Sequence, residues 1–145
     1  MHTQNEKITV EALVHTPLSK VWAYWTDPAH IVHWNAASDD WHTTRSENDV
    51  RVGGAFSARM EAKDGSVGFD FAGTYTEVVP EKYLVYQLGD MREVEVVFTE
   101  QEGGVRVTET FDAEHENSPD MQKTGWQAIL DRFKAYVEES EQKAG

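Results

Sequence analysis

Glu109 is the residue whose placement most needs an explanation. The chain reads Val105, Val107, Glu109 and Phe111 on one parity, and Arg106, Thr108 and Thr110 on the other. In a strand, that alternation puts a carboxylate on the apolar face. A carboxylate taken out of water needs a partner or a raised pKa. In a cavity it would orient a ligand or serve as general acid or base. A bulge anywhere between Val105 and Phe111 reverses the parity and sends the same group outward, and so does a position beyond the covered part of the sheet. If the parity holds, a tyrosine hydroxyl or trapped water is the expected partner, because Arg59 falls on outward parity.

Around Glu109 the alternation gathers aromatic rings. Phe56, Phe69, Phe71, Tyr75, Tyr86 and Trp126 all fall on faces assigned inward. Such rings either fill a core or line a site, and Tyr and Trp add a polar handle. Ile129 and Leu130 follow Trp126 on the same side. Trp34 and Trp41 flank the small-residue stretch Asn35 to Ser38. Both are candidates for the cavity mouth; Trp34 alternatively pins a helix to the sheet, and Trp41 is the freer of the two. His30 and His33, three apart, with His42 nearby, are the only arrangement resembling metal ligands. No carboxylate completes the set, so no metal and no cofactor are expected. With no Cys, thiolate sites, disulfides and Cys nucleophiles are excluded. No nucleophile elbow, His-Glu-x-x-His, phosphate loop or dinucleotide fingerprint occurs.

The bulk numbers narrow the partners. The 145 residues fit one domain, with roughly 100–200 residues per domain as the usual measure. Lys plus Arg is 13 and Asp plus Glu is 26, a net charge of −13. That balance disfavours nucleic acid and anionic membrane surfaces. No apolar run is long enough to insert in a membrane, and Met1 to Lys7 lacks a signal-peptide centre. The expectation is a soluble acidic domain of the cytoplasm, residues 1–145, with a core over about 7–137 and flexible segments at 1–6 and 138–145. Most of the remaining acidic residues fall in turns or on outward parity and read as a solvated face.

The elements that must position these residues follow from periodicity. Ile8 to Val14 alternates as a strand. Thr16-Pro17 and Asp27-Pro28 each open a short helix, with Pro expected at the first helical position. From Asp40 to Phe111 the period is two. Gly53-Gly54 marks a turn or close backbone approach. Lys63-Asp64-Gly65, Pro80-Glu81-Lys82, Gly89-Asp90 and Gln101 to Gly104 punctuate the rest. Ser118-Pro119-Asp120 then starts a helix of about twenty residues whose apolar stripe is Trp126, Ile129, Leu130, Phe133 and Val137. Gly125, beside Trp126, is expected to let this helix approach the sheet closely. A one-sided sheet and a one-sided helix must cover each other. The expected fold is α+β: a curved antiparallel sheet of six to seven strands around a long C-terminal helix, with two short helices after the first strand. An uncovered edge strand would support a homodimer.

This ordered set resembles the START-like (SRPBCC) superfamily. The residues that carry the likeness at the start are Ile8-Thr9-Val10, Thr16-Pro17, Val21-Trp22, Asp27-Pro28 and Trp34. Gly53-Gly54-Ala55-Phe56, Gly73-Thr74-Tyr75, Val78-Val79-Pro80, Leu84-Val85-Tyr86 and Gly125-Trp126 with Leu130 and Phe133 are similar to its heat-shock-protein-90 ATPase activator-like branch. The resemblance spans about Lys7 to Val137 and implies a helix-grip fold with a cavity for apolar or amphipathic small molecules. Superfamily relatives include lipid carriers, hormone receptors and polyketide aromatase/cyclases, so fold alone leaves activity open. The leading expectation is a binding protein for a small apolar or amphipathic, aromatic or lipid-like, molecule. A cyclase or hydrolase acting on a polyketide-like substrate is the alternative. A chaperone-linked interaction module comes third, because the namesake's accompanying domain is absent here.

Overall fold

The structure is a computed structural model, and it describes residues 6–144. β1 (Lys7–Val14) is followed by α1 (Leu18–Thr26) and α2 (Pro28–Trp34). Six strands come next: β2 (Trp41–Asn48), β3 (Ala55–Ala62), β4 (Gly68–Val79), β5 (Tyr83–Leu88), β6 (Glu93–Gln101) and β7 (Gly104–Asp112). α3 (Pro119–Ala144) ends the chain. The strands form one antiparallel sheet in the order β1-β7-β6-β5-β4-β3-β2, a meander closed by the first strand pairing with the last.

Alternation decides which face is covered. Ile8, Val10, Ala12 and Val14 are buried while Lys7, Thr9 and Glu11 are exposed. Val94, Val96 and Phe98 of β6 and Val105, Val107 and Phe111 of β7 extend the same face. Leu130, Phe133 and Val137 of α3 bury completely against it, so the helix stripe and the sheet face form one core. Gln127 donates to the Glu11 carbonyl, and Lys134 donates to the Leu13 carbonyl and pairs with Glu138, which fixes the helix along β1.

The local signals place the turns. Asp27 ends α1 and caps α2, its carboxylate accepting from the Ala29 N–H at 2.9 Å. Ser118 caps α3 by accepting from the Met121 N–H at 3.2 Å. At Lys63-Asp64-Gly65 the hairpin closes with Gly65 at φ +78° and Asp64 accepting from Ser66 N–H. Gly53 takes φ +84°, and a Cβ on Gly54 would stand 2.1 Å from the Asp49 carbonyl oxygen, so the pair serves both a turn and a close approach.

Two expectations need correction, and the two ends of the described chain can be placed. Pro17 is not the first helical residue of α1. It is extended (ψ 149°), its carbonyl accepts the first helical N–H groups, and no side chain caps that end. The Thr16 hydroxyl is buried without a partner instead. The C-terminal segment from Glu138 is helical, since α3 runs 26 residues to Ala144, and Glu138 and Glu141 bond to His15, Lys134, Lys20 and Tyr24. At the other end, Glu6 already holds the Ala113 N–H through its carbonyl, while residues 1–5 and Gly145 lie outside the described residues. Finally, Gly125 does not serve close packing, because a Cβ there would meet nothing within 4 Å.

Candidate functional site: a cavity between the sheet and the C-terminal helix

A cavity of about 500 Å³ lies between the curled sheet and α3, in the size range of small-molecule sites. The sheet supplies its floor. Phe56 and Met60 come from β3, Phe71 and Tyr75 from β4, Tyr86 from β5 and Glu109 from β7. Trp126 and Ile129 of α3 form the roof, and Ile31 and Trp34 of α2 close one end. The aromatic rings cluster: Phe56 meets Tyr86 edge to face with centroids 4.7 Å apart, and lies tilted against Tyr75 at 5.5 Å. Trp126 stacks on Phe111 at 3.9 Å and 13°, and presents its edge toward Phe71. Gly73 makes room for this cluster, since a Cβ there would come within 2.9 Å of the Phe56 ring and 2.6 Å of the Gln87 carbonyl oxygen.

Glu109 keeps the parity expected of it. It is 5 % exposed, flanked in register by Val10 of β1 and Val96 of β6, and no bulge interrupts β7 there. Its carboxyl lines the cavity and has no hydrogen-bond partner among the described residues. Burial alone pushes its pKa up from 4.5 to about 8. The expected tyrosine partner is not there. The Tyr75 hydroxyl instead donates to Asn48 Oδ1 at 2.6 Å, and Asn48 Nδ2 donates to the Thr26 carbonyl at 2.8 Å. That chain ties β4 to β2 and to the end of α1. Burial raises the Tyr75 pKa to about 12. Tyr86 also lines the cavity and is 8 % exposed. Burial raises its pKa well above the usual value, and the nearby Glu109 and Tyr75 push the same way. Near neutral pH the floor therefore carries a protonated carboxyl and a phenol close together, both without protein partners.

The remaining sequence candidates divide. Trp34 is buried, stacks on Trp25 at 5.0 Å and donates its indole N–H to the Tyr24 carbonyl. It pins α2 to the core and shows only part of its ring to the cavity. Trp41 and Phe69 meet at 5.9 Å on the rim. Phe69 has the inward parity assigned to it yet is 47 % exposed, one residue from the start of β4. Leu130, grouped with the cavity residues from sequence, is fully buried and off the cavity wall: one position past Ile129, it points into the core beside Phe133. His30 and His33 gather around Tyr136, His30 Nδ1 lying 2.8 Å from its hydroxyl and His33 stacking on its ring. No group of three or more His, Asp or Glu able to hold a metal ion occurs among the described residues.

Sequence reasoning missed part of the wall. Gln122, Glu114, Asn117 and Arg92 line one end of the cavity. Buried Gln122 locks this end, accepting from the Glu114 N–H and donating to the Glu114 and Asn117 carbonyls. Gln122 lies four residues before Trp126, so the helical period marked it for the same face. Asn48 and Arg92 had no such signal, because strand order and turn geometry bring them in. Arg92 is already paired with Asp90 at 2.7 Å.

With this geometry established, comparison with known proteins places the chain. The family model described as activator of Hsp90 ATPase homolog 1-like protein matches residues 15–138. The solution structure of an AHSA1-like protein from Aeromonas hydrophila is 51 % identical, with 94 % of each chain covered and a TM-score of 0.89. A solution structure from Cytophaga hutchinsonii is 45 % identical over 94 % of each chain, with a TM-score of 0.80. A crystal structure from Chromobacterium violaceum, at 22 % identity, shares the fold with a TM-score of 0.82, covering 92 % of this chain and 98 % of its own. No match was found among curated proteins. No helix among the described residues is long and apolar enough to cross a membrane. Matched over most of its length by the family model and by close structural relatives, the chain belongs to the activator of Hsp90 ATPase homolog 1-like family.

Proposed function

We propose that the protein binds a small amphipathic molecule in the cavity between the sheet and α3. One observation carries this reading: about 500 Å³ of space lined by Phe56, Phe71, Tyr86 and Trp126 is left unfilled, with a buried Glu109 carboxyl facing it and no protein group hydrogen-bonded to that carboxyl among the described residues. A chain selected only for stability would fill that space, since each cavity left in a core costs stability and each unpaired buried polar group costs more. Trp41 and Phe69 at the rim suit an entrance, and Trp126 with Ile129 a roof that grips an apolar body. Native mass spectrometry of the purified protein, followed by titration with naphthylmethanol monitored by NMR, tests the reading. A retained small molecule, or shifts confined to Phe56, Phe71, Tyr86 and Trp126, is the expected result. A naphthalene probe that leaves these resonances unmoved up to its solubility refutes it.

A second reading draws on Glu109 itself. A carboxyl with a pKa of about 8 is mostly protonated at neutral pH yet ionises within reach of it, so it can give up and take back a proton as a general acid or base must. A cyclase- or hydrolase-type reaction on a polyketide-like substrate would use it that way, and turnover lost in Glu109→Gln separates this from binding alone. The chaperone ATPase activation in the family's description is a third reading, for which nothing in the cavity calls. Stimulation of an Hsp90 ATPase by the purified chain would test it.

A further inference from the structure

Resting on the binding reading above, we infer that the cavity selects an organic cation: a protonated amine on an apolar, ring-bearing body, its ammonium seated against Glu109 and among the aromatic rings. The argument starts from what the walls lack. Four charged residues line the cavity: Glu47 of β2, Arg92 in the β5–β6 turn, Glu114 after β7, and Glu109. Three are acidic, and the one cation is held by Asp90. Acidic groups therefore outnumber the single guanidinium, whose Nε is already committed to Asp90, and the lining favours a cation over an anion.

Glu109 supplies the complement. It is 95 % buried, faces the cavity and has no hydrogen-bond partner among the described residues, so a ligand group that neutralises it finds a free acceptor there. The groups facing it offer no competing cation. β1 and β6 present Val10 and Val96, α3 presents Gln122, Trp126 and Ile129, and β5 presents the Tyr86 phenol with Tyr75 of β4 beyond it. The rings of Phe56, Phe71 and Tyr86 line the same space, and an ammonium placed over an aromatic face is attracted through the ring quadrupole. The chain's net charge of −13 raises the local concentration of cations at the entrance.

Binding on this reading is an exchange of charge. The ammonium enters, Glu109 gives its proton to the solvent, and the ion pair replaces a protonated carboxyl. Because the free carboxyl titrates near pH 8, affinity for an amine should rise roughly 80-fold from about pH 6 to about pH 8.5, while the ligand stays charged. The phenols of Tyr75 and Tyr86, both raised, do not titrate in that window.

The test is calorimetric titration of the full chain with naphthylmethylamine, naphthylmethanol and naphthylacetate across that pH range, in buffers of different ionisation heat. Expected are preference for the amine over the alcohol, release of close to one proton per amine bound at neutral pH, and no proton release with the alcohol. Glu109→Gln, checked to be folded, should lose both the preference for amine over alcohol and the proton release. Glu109→Leu gives a second reading of the same loss. If the alcohol binds as well as the amine with no pH dependence, or the acetate binds best, the cation inference falls while the binding reading stands. If none of the three binds a folded parent, both fall.

Discussion

Glu109 makes stability depend on pH in a direction opposite to most carboxylates. In the unfolded chain its pKa is close to 4.5; in the fold, burial raises it to about 8. Between those values the folded state holds a proton that the unfolded state has lost. The slope of unfolding free energy with pH follows the protons bound unfolded minus those bound folded, so it is negative here. The contribution of this group is fully present below about pH 4.5, declines as pH rises, and is lost once pH passes about 8. A shift of 3.5 pH units (8 − 4.5) at about 1.36 kcal/mol per unit corresponds to roughly 4–5 kcal/mol in total. Water entering the cavity lowers that figure, so about 2–4 kcal/mol is expected between pH 5 and pH 9. Urea unfolding of the parent and Glu109→Gln at both pH values isolates the term, because every other titrating group is common to the two proteins. The variant should gain about 2–4 kcal/mol on the parent as pH rises. Parallel pH dependences would show that the carboxyl reaches water or a partner, and would refute the buried, unpaired placement on which the site reading rests.

Other contacts in the fold give further expected outcomes. Trp126→Ala should lose about 2–4 kcal/mol by urea unfolding, the lower part of the range for large aromatics, because the ring stacks on Phe111 but is only half-buried. Gly125→Ala should gain about 0.5–1 kcal/mol in the same assay, since helix propensity improves and the new methyl meets nothing; a loss would mean the helix sits closer to the sheet than it does here. Gln122→Leu should cost about 2–3 kcal/mol and speed hydrogen exchange at Glu114, because a buried N–H and two carbonyls lose their partner. Tyr75→Phe should cost about 1–2 kcal/mol in thermal or urea unfolding and loosen the contact of β2 with the end of α1, as Asn48 loses its donor.

Much of the architecture is determined by the order of residues alone. Period-two alternation in Ile8 to Val14 and Val94 to Phe111, and the stripe from Trp126 to Val137, are one-dimensional patterns that identify buried faces whatever the final packing. Glu109 belongs to that class: its inward aim follows from Val107 and Phe111 on either side, and an unbroken β7 preserves it. Tertiary structure decided the rest. Phe69 and Phe71 share a parity, yet Phe69 is exposed while Phe71 is half-buried with its ring beside Trp126 of α3. Leu130 and Ile129 are adjacent, but the rotation of α3 sends one into the core and the other to the cavity wall. Asn48 reaches Tyr75 across 27 positions, and Arg92 joins the wall from a turn; no local period encodes either contact. The cavity itself is of this kind. Alternation reports which side chains leave the solvent, but the space left between them depends on sheet curvature and helix height, which the whole set of contacts fixes together.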